Sequence, residues 1–352
     1  MERDDGLYRF VGERLAEELG ETYWEPCDSS GLYQSADAAE RAAEKEVLWL
    51  RDQISTEPSQ PAWGLPPHAF LNSVRMIQPL LGLLALLVVT LVTQVGGLAF
   101  ALCWIASSFL FPARLRGWRR AGASIVLFIA LYAVLNSFVV PRLAALAGRV
   151  PLPCHSEPDR PFAAANPIYC WLGRNYVDAR LLALLTNLSR DMERAYPGTV
   201  TLYLDGNFPF LNGFPLLPHL SHSDGRKLDM AFYYATPSGS YLPGRLRSPI
   251  GYWAFEQPNA DDPAPCRGRR WFSLRWDMTS LQDLYPDRPL EPARTRAALN
   301  WLVTKGQEFG LERVFIEPYL AARLGVSSPL IGFQGCRAAR HDDHIHFQVK
   351  RS

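Results

Sequence analysis

Two stretches in the middle of this chain carry no charged residue, Ile77 to Ala113 and Ala121 to Pro141, and they constrain the fold more than any other feature. The second has the length of one transmembrane helix, about 20 residues. The first is long for one span and tight for two, and Gly96-Gly97 near its middle is placed to turn a helical hairpin. A buried core helix is the competing reading, and the length and lack of charge argue against it. Arg114, Arg116, Arg119 and Arg120 crowd the connection, so the positive-inside rule puts that loop in the cytoplasm. The helix after it then exits outward. Three regions follow: residues 1–76, a membrane region over 77–143 (77–113 and 121–141), and an extracytoplasmic domain over 149–352. A hairpin leaves the N-terminus in the cytoplasm; a single tilted span places it outside.

A near-zero net charge of +1 gives no sign of nucleic-acid binding. Four of the six cysteines, Cys154, Cys170, Cys266 and Cys336, lie in the expected outer domain, where oxidation is permitted. Two disulfides are expected there. Three pairings are open, and Cys154 with Cys170 and Cys266 with Cys336 is adopted without a sequence basis for excluding the others. Residues 1–76 contain LYRFVGERLAEELGETYW and ADAAERAAEKEVLWLRDQI, with apolar residues at helical spacing, then the proline-broken TEPSQPAWGLPPHAF. Two amphipathic helices and a linker are expected, to pack on each other or to bind a protein partner.

Five of the seven histidines fall in two short clusters, His219 and His222 in PHLSHSDGRKLDM and His341, His344 and His346 in RHDDHIHFQV. Asp229 follows the first, so the chain offers His-x6-Asp from one segment and His-x-His from another. In KLDMAFYY, Leu228, Met230 and Phe232 alternate with Lys227, Asp229 and Ala231, the pattern of a half-buried strand with Asp229 on the face opposite the apolar layer. In HIHFQV the same alternation puts His344, His346 and Gln348 on one face and Ile345, Phe347 and Val349 on the other. If these strands are neighbours, His222 in the preceding loop reaches the same point as Asp229 and His346. Three donors of mixed nitrogen and oxygen type leave a fourth position open, as catalytic zinc requires. No Cys-x2-Cys pair exists, which argues against a closed structural site.

A bland reading stands beside each residue. A lone His-x-His on a strand is usually a solvated surface feature; Asp229 alone would be an edge carboxylate facing water. His219 fits packing as well as catalysis. Asp224, Asp342 and Asp343 read as loop-capping residues, with the orientation of an imidazole as the lesser alternative.

The domain is expected to be α+β, a mainly antiparallel sheet with flanking helices. Its elements are a helix at Val177 to Tyr196, a strand at Thr199 to Leu204, the Asp229 strand, a helix at Pro292 to Phe309, a strand at Arg313 to Ile316 and the last histidine strand. The aromatic segments GYWAFEQP and RRWFSLRW read equally as strand core or as a wall of a substrate groove. Arg270 and Arg275 are either solvated or available to carboxylates of a substrate.

The segment from His219 through His222, Gly225 and Asp229, with His341, His344 and His346 far downstream, resembles the penicillin-insensitive murein endopeptidases, within the wider lysostaphin and D-Ala-D-Ala type metallopeptidases. The extra histidines at 219 and 341 narrow the likeness to that family, and it extends over roughly Tyr176 to Gln348. The resemblance implies Zn2+ held by His222, Asp229 and His346, with His344 beside the metal as general base or stabiliser of the tetrahedral intermediate, and His341 and His219 as accessory catalytic histidines. It also implies hydrolysis of the D-alanyl to diaminopimelate crosslink between peptidoglycan stem peptides, from a domain facing the periplasm. The family's usual member is a soluble periplasmic protein, and the membrane region here departs from it. Two alternatives are a related zinc carboxypeptidase or amidase on cell-wall peptides, and a peptidoglycan-binding protein without turnover.

Overall fold

The computed structural model describes residues 7–8, 11–18, 21–29, 32–46, 67–111, 117–263, 265–266, 275–276 and 278–351. They belong to two compact units, residues 1–79 and 80–352.

In the first unit, β1 (Val11–Glu18) and β2 (Glu21–Ser29) form an antiparallel hairpin with Leu15 opposite Trp24 and Glu18 opposite Glu21. The first amphipathic helix expected in this region is therefore a hairpin. The run Thr22-Tyr23-Trp24 favours a pleated strand, which outweighs the helical spacing. The second helix does form, as α1 (Ala36–Glu46), where Ser35 Oγ accepts from the Ala38 amide and Asp37 and Lys45 complement the helix dipole. Its expected continuation and the proline-rich linker, residues 47–66, lie outside the described residues.

Apolar helices follow, the first of them running from residues of the first unit into the second. These are α2 (Pro67–Thr93), α3 (Gly96–Leu110) and α4 (Trp118–Val134), the last running through a π turn at Leu135–Val139 into α5 (Val140–Leu146). The π turn sits just before Pro141, which has no N–H for the carbonyl one turn back. Trp118–Leu146 is the one helix among the described residues long and apolar enough to cross a membrane; Leu80–Thr93 and Gly96–Leu110 are shorter apolar helices. Arg114 and Arg116 lie outside the described residues, and Arg119 and Arg120 open α4.

A hairpin is formed by α2 and α3, but its bend is not at the glycines. Gln94 takes the left-handed conformation (φ 57°), whereas Gly96 and Gly97 begin α3. Their role is close approach: a Cβ on Gly97 would lie 1.9 Å from Thr90 Oγ1, and one on Gly82 would meet the Trp104 ring.

The C-terminal domain is α+β. Its elements are β3 (Arg149–Pro151), β4 (Phe162–Ala164), α6 (Ile168–Trp171), β5 (Tyr176–Asp178), α7 (Ala179–Ala195), β6 (Thr201–Tyr203), β7 (Lys227–Ala231), α8 (Thr279–Gln282), α9 (Pro292–Lys305), β8 (Leu311–Phe315), α10 (Pro318–Arg323), β9 (Ile331–Gly332) and β10 (His344–Val349). The main sheet has the order β4-β6-β7-β10-β8-β9. It is mixed: the three inner pairings are antiparallel and both edge pairings, β4 with β6 and β8 with β9, are parallel. The expectation of a mainly antiparallel sheet thus describes only its centre.

One face of the sheet is the core. On α7, Leu181, Leu184, Leu185, Leu188 and Met192 recur at helical spacing and bury against Leu228, Met230, Ile345, Phe347 and Val349 of the two central strands. Asp178 caps α7, its carboxylate accepting from the Arg180 amide at 2.9 Å, and Glu291 does the same for α9. Period-two alternation then sends Asp229, His344 and His346 to the opposite face. Both adopted disulfides are present, Cys154–Cys170 and Cys266–Cys336.

Candidate metal centre

Strand register assembles the site. In the antiparallel pairing of β7 and β10, His346 lies directly opposite Asp229 and His344 opposite Ala231, so the carboxylate and an imidazole meet across one ladder step. The His346 Nδ1 is 2.8 Å from Asp229 Oδ1. His222 comes from the loop ahead of β7, and its Nε2 is 3.1 Å from His346 Nδ1 and 3.3 Å from Asp229 Oδ1. That loop is set by Asn207, whose Oδ1 accepts from the amide of Gly225, a residue at φ 82° that a side chain would strain.

These three atoms lie within 3.3 Å of one another, and all three residues are at most 2% exposed. Bonds of about 2.0–2.1 Å to a tetrahedral ion require donors spaced by roughly 3.3 Å, so the observed triangle needs only slight expansion. The Nδ1 of His222 is 2.8 Å from the Gly206 carbonyl; donating its proton there leaves the Nε2 lone pair facing the cluster. A buried His/Asp/His group of this kind can hold a metal ion.

Electrostatics agree with a cation site. Burial alone raises a carboxyl, but the charges of His222 and His344 hold Asp229 well below its usual range. Burial pushes His346 down to about 4, keeping its ring neutral and its Nδ1 available as a donor. For His222 and His344 burial opposes the charged form and loses. Asp229 raises His222, and Asp229 with Asp343 pushes His344 up to about 9.

The other histidines are gathered around the triad. His344 Nδ1 is 2.5 Å from Asp343 Oδ1, and its Nε2 faces Asp229 Oδ1 at 3.6 Å. His219 Nδ1 is 2.9 Å from Asp205 Oδ2 and 3.5 Å from Asp229 Oδ2. His341 is buried behind these, its ring 5.0 Å from that of His344 and 5.5 Å from that of His346. Burial, then the neighbouring His344 and His346, hold it well below the usual imidazole range.

Several residues that complete the site lie outside the proposed ligands and catalytic histidines. Tyr252 donates its hydroxyl to Asp229 Oδ2 at 2.7 Å, and its ring packs between His219 and His344. Asp205 accepts from Nε and Nη2 of Arg174 at 2.6 and 2.7 Å. For Asp343 the lesser alternative, orientation of an imidazole, is the one observed: one oxygen is bonded to His344 Nδ1 and the other accepts from the Trp253 amide at 2.6 Å. Trp253 is held at φ 69°, a strained conformation for a bulky residue, by that bond and by Gln282 Nε2 on its carbonyl. Asp342 instead binds Arg340 and Tyr319, while Asp224 is the loop cap expected of it, accepting from the Arg226 amide at 3.1 Å and from the Arg226 and Lys227 side chains.

The segment GYWAFEQP is neither strand nor plain core. Tyr252, Trp253 and Phe255 line a hollow that ends on His344, while Tyr252 and Trp253 also border a second, more apolar hollow with Ile168, Leu172 and Ile250. Gly251 makes this wall possible, since a Cβ there would lie 2.3 Å from Leu204 Cδ2. Arg275 is not solvated but paired with buried Glu317 at 2.8 Å, and Arg270 lies outside the described residues. No protein-family model matches the chain, and comparison with curated proteins returns no match.

Proposed function

We propose that the chain is a membrane-anchored zinc metallopeptidase that hydrolyses peptide crosslinks of peptidoglycan, at the bond from D-alanine to diaminopimelate. The carrying observation is the convergence of His222 Nε2, Asp229 Oδ1 and His346 Nδ1 within 2.8–3.3 Å, beside a His344 fixed by Asp343 at the end of a groove. Two imidazoles, one carboxylate and an open position match the donor preference of catalytic zinc. The extra histidines at 219 and 341, shared with the penicillin-insensitive murein endopeptidases, support the choice of substrate. The two disulfides and the arginines ahead of Ala121 support a domain facing the periplasm from the inner membrane.

A divalent ion in this site supplies Lewis acidity for a scissile carbonyl and acidifies water. The remaining chemistry belongs to the chain. His344, with Nδ1 held by Asp343, presents Nε2 toward the cluster, where its protonated ring would donate to a developing oxyanion or leaving amine. Tyr252 and His219 hold Asp229 Oδ2, which keeps Oδ1 turned to the ligand position. The Tyr252–Trp253 wall positions a peptide across the groove.

The test is mass spectrometry of muropeptides after incubating purified sacculi with the full-length protein in detergent, with zinc and with chelator. Loss of crosslinked dimers only with zinc supports the proposal and identifies the bond. Unchanged muropeptides with zinc bound refute it.

A further inference from the structure

The outermost part of the apolar helix bundle is completed by the C-terminal domain. Helix α3 has 15 residues, about 22 Å, whereas the continuous helix beside it, Trp118–Leu146, has 29, about 43 Å. A bilayer core is about 30 Å thick, so α3 ends inside it while the longer helix runs on. Protein from the C-terminal domain takes up the difference. Tyr176 and Phe210 pack with Val95, Val140 and Ala144, the Phe210 amide donates to Gln94 Oε1 at 2.9 Å, and the Tyr132 hydroxyl, halfway along the long helix, donates to the Trp171 carbonyl at 2.7 Å. Further along the same helix Phe138, Leu143 and Leu146 remain exposed, so apolar surface continues beyond the level of Tyr132.

The domain carries an apolar rim of its own next to these contacts. Ile168, Trp171, Leu211, Leu217 and Leu220 are all exposed, Trp171 by 69%. Trp171 is the residue tied to Tyr132, Leu211 follows the residue tied to Gln94, and Leu217 and Leu220 bracket Pro218 and His219. Ile168, Leu172, Pro218 and Ile250 line the hollow that leads from this rim to His219 and Asp205. Five large apolar side chains exposed together on a folded domain mark a contact surface, and their continuity with membrane-level helices identifies what they contact.

We propose that this rim is a lipid-contact surface: Ile168, Trp171, Leu211, Leu217 and Leu220 lie in the outer interface of the bilayer, so that the hollow leading to the metal centre opens at the membrane surface. The proposal rests on reading the apolar helices as membrane spans and is independent of the metal's identity.

The experiment is tryptophan quenching in the full-length protein, reconstituted in phosphatidylcholine vesicles whose acyl chains are unmodified or brominated near the headgroup. The emission lost in Trp171→Phe isolates Trp171, and that lost in Trp104→Phe isolates a tryptophan on α3 as the membrane reference. Leu217→Trp on the native background reports on the other side of the rim by adding a signal, so the test survives a poorly folding Trp171→Phe. The expected result is that the Trp171 and Leu217→Trp components are quenched by the brominated lipid and protected from aqueous iodide. If they are quenched by iodide and untouched by brominated lipid while the Trp104 component is quenched by it, the helices span the membrane and the rim proposal is overturned. If the Trp104 component also escapes brominated lipid, the membrane reading falls and takes the rim with it.

Discussion

Tyr252→Phe removes one oxygen from the site and tests whether the carboxylate ligand is held by its surroundings. The Tyr252 hydroxyl donates to Asp229 Oδ2 at 2.7 Å, and Asp229 is 1% exposed, so no water replaces the bond at no cost. The phenyl ring keeps its packing, with its centre 4.5 Å from that of His219 and 5.0 Å from that of His344. A hydrogen bond to a charged group contributes about 1.5–3 kcal/mol, which corresponds to roughly 10- to 150-fold in affinity. Burial, reinforced by Asp205 and Asp229, drives the Tyr252 hydroxyl well above its usual pKa, so the donor keeps its proton throughout the neutral range and the loss is expected to be the same at pH 6 and pH 9. Competition of wild type and variant against a chromophoric chelator measures the affinity, and the melting temperature of the metal-free proteins checks the fold. Equal affinities in two folded proteins would refute the claim that Tyr252 fixes the ligand.

His222→Ala leaves only Asp229 and His346 and is expected to abolish stoichiometric metal binding, whereas His344→Ala is expected to retain the metal, measured by elemental analysis, and lose about 10²- to 10⁴-fold in rate. Asp178→Ala removes the cap of α7 and is expected to cost about 1 kcal/mol in denaturant unfolding near neutral pH. Hydrogen bonds from Arg180 lower the Asp178 pKa, so its contribution is complete above the unfolded carboxylate value of about 3.9. The gap between wild type and variant should therefore close as pH falls through the lower folded value. Replacing Cys266 and Cys336 by serine opens a loop of sequence separation 70 and is expected to cost about 4 kcal/mol, against about 3 kcal/mol for the pair separated by 16, as measured by equilibrium unfolding.

The triad is legible in the sequence because strands impose a period of two. Once Asp229 and His346 are placed opposite their apolar neighbours, only strand adjacency is needed to join them, and the register supplies it. Tyr252, Asp205 and Arg174 are not legible because each acts from a loop or short segment whose position depends on tertiary packing. Gly251 against Leu204 and Trp253 at positive φ offer a sequence reader no period to follow. The paired strands Val11–Glu18 and Glu21–Ser29 read as a helix for a related reason: acidic and alanine-rich residues give helical spacing, while the deciding signal is the run of three β-formers Thr22-Tyr23-Trp24. At the membrane, Gly96-Gly97 marks the right place for the wrong reason, since these residues permit close packing while Gln94 makes the bend.

The charge balance of the site leads to one more expectation. Arg174 answers Asp205 through Nε and Nη2, but the Asp229 carboxylate faces histidines and the Tyr252 hydroxyl. Without metal, the positive charge beside it is carried by protons. Burial disfavours the His222 cation, yet Asp229 overrides this and raises the pKa above the usual imidazole value. Ligation through His222 Nε2 requires that nitrogen to be free of its proton, so a cation and a proton compete for the same lone pair. Metal binding below the raised His222 value should therefore release protons, and the apparent affinity should rise with pH until that value is passed. Titration calorimetry in buffers of different ionisation enthalpy reads the number of protons directly as a slope. A slope of zero at pH 6, below the ordinary imidazole value, would mean that His222 is already neutral without metal, which would remove the electrostatic reason for placing a cation at Asp229.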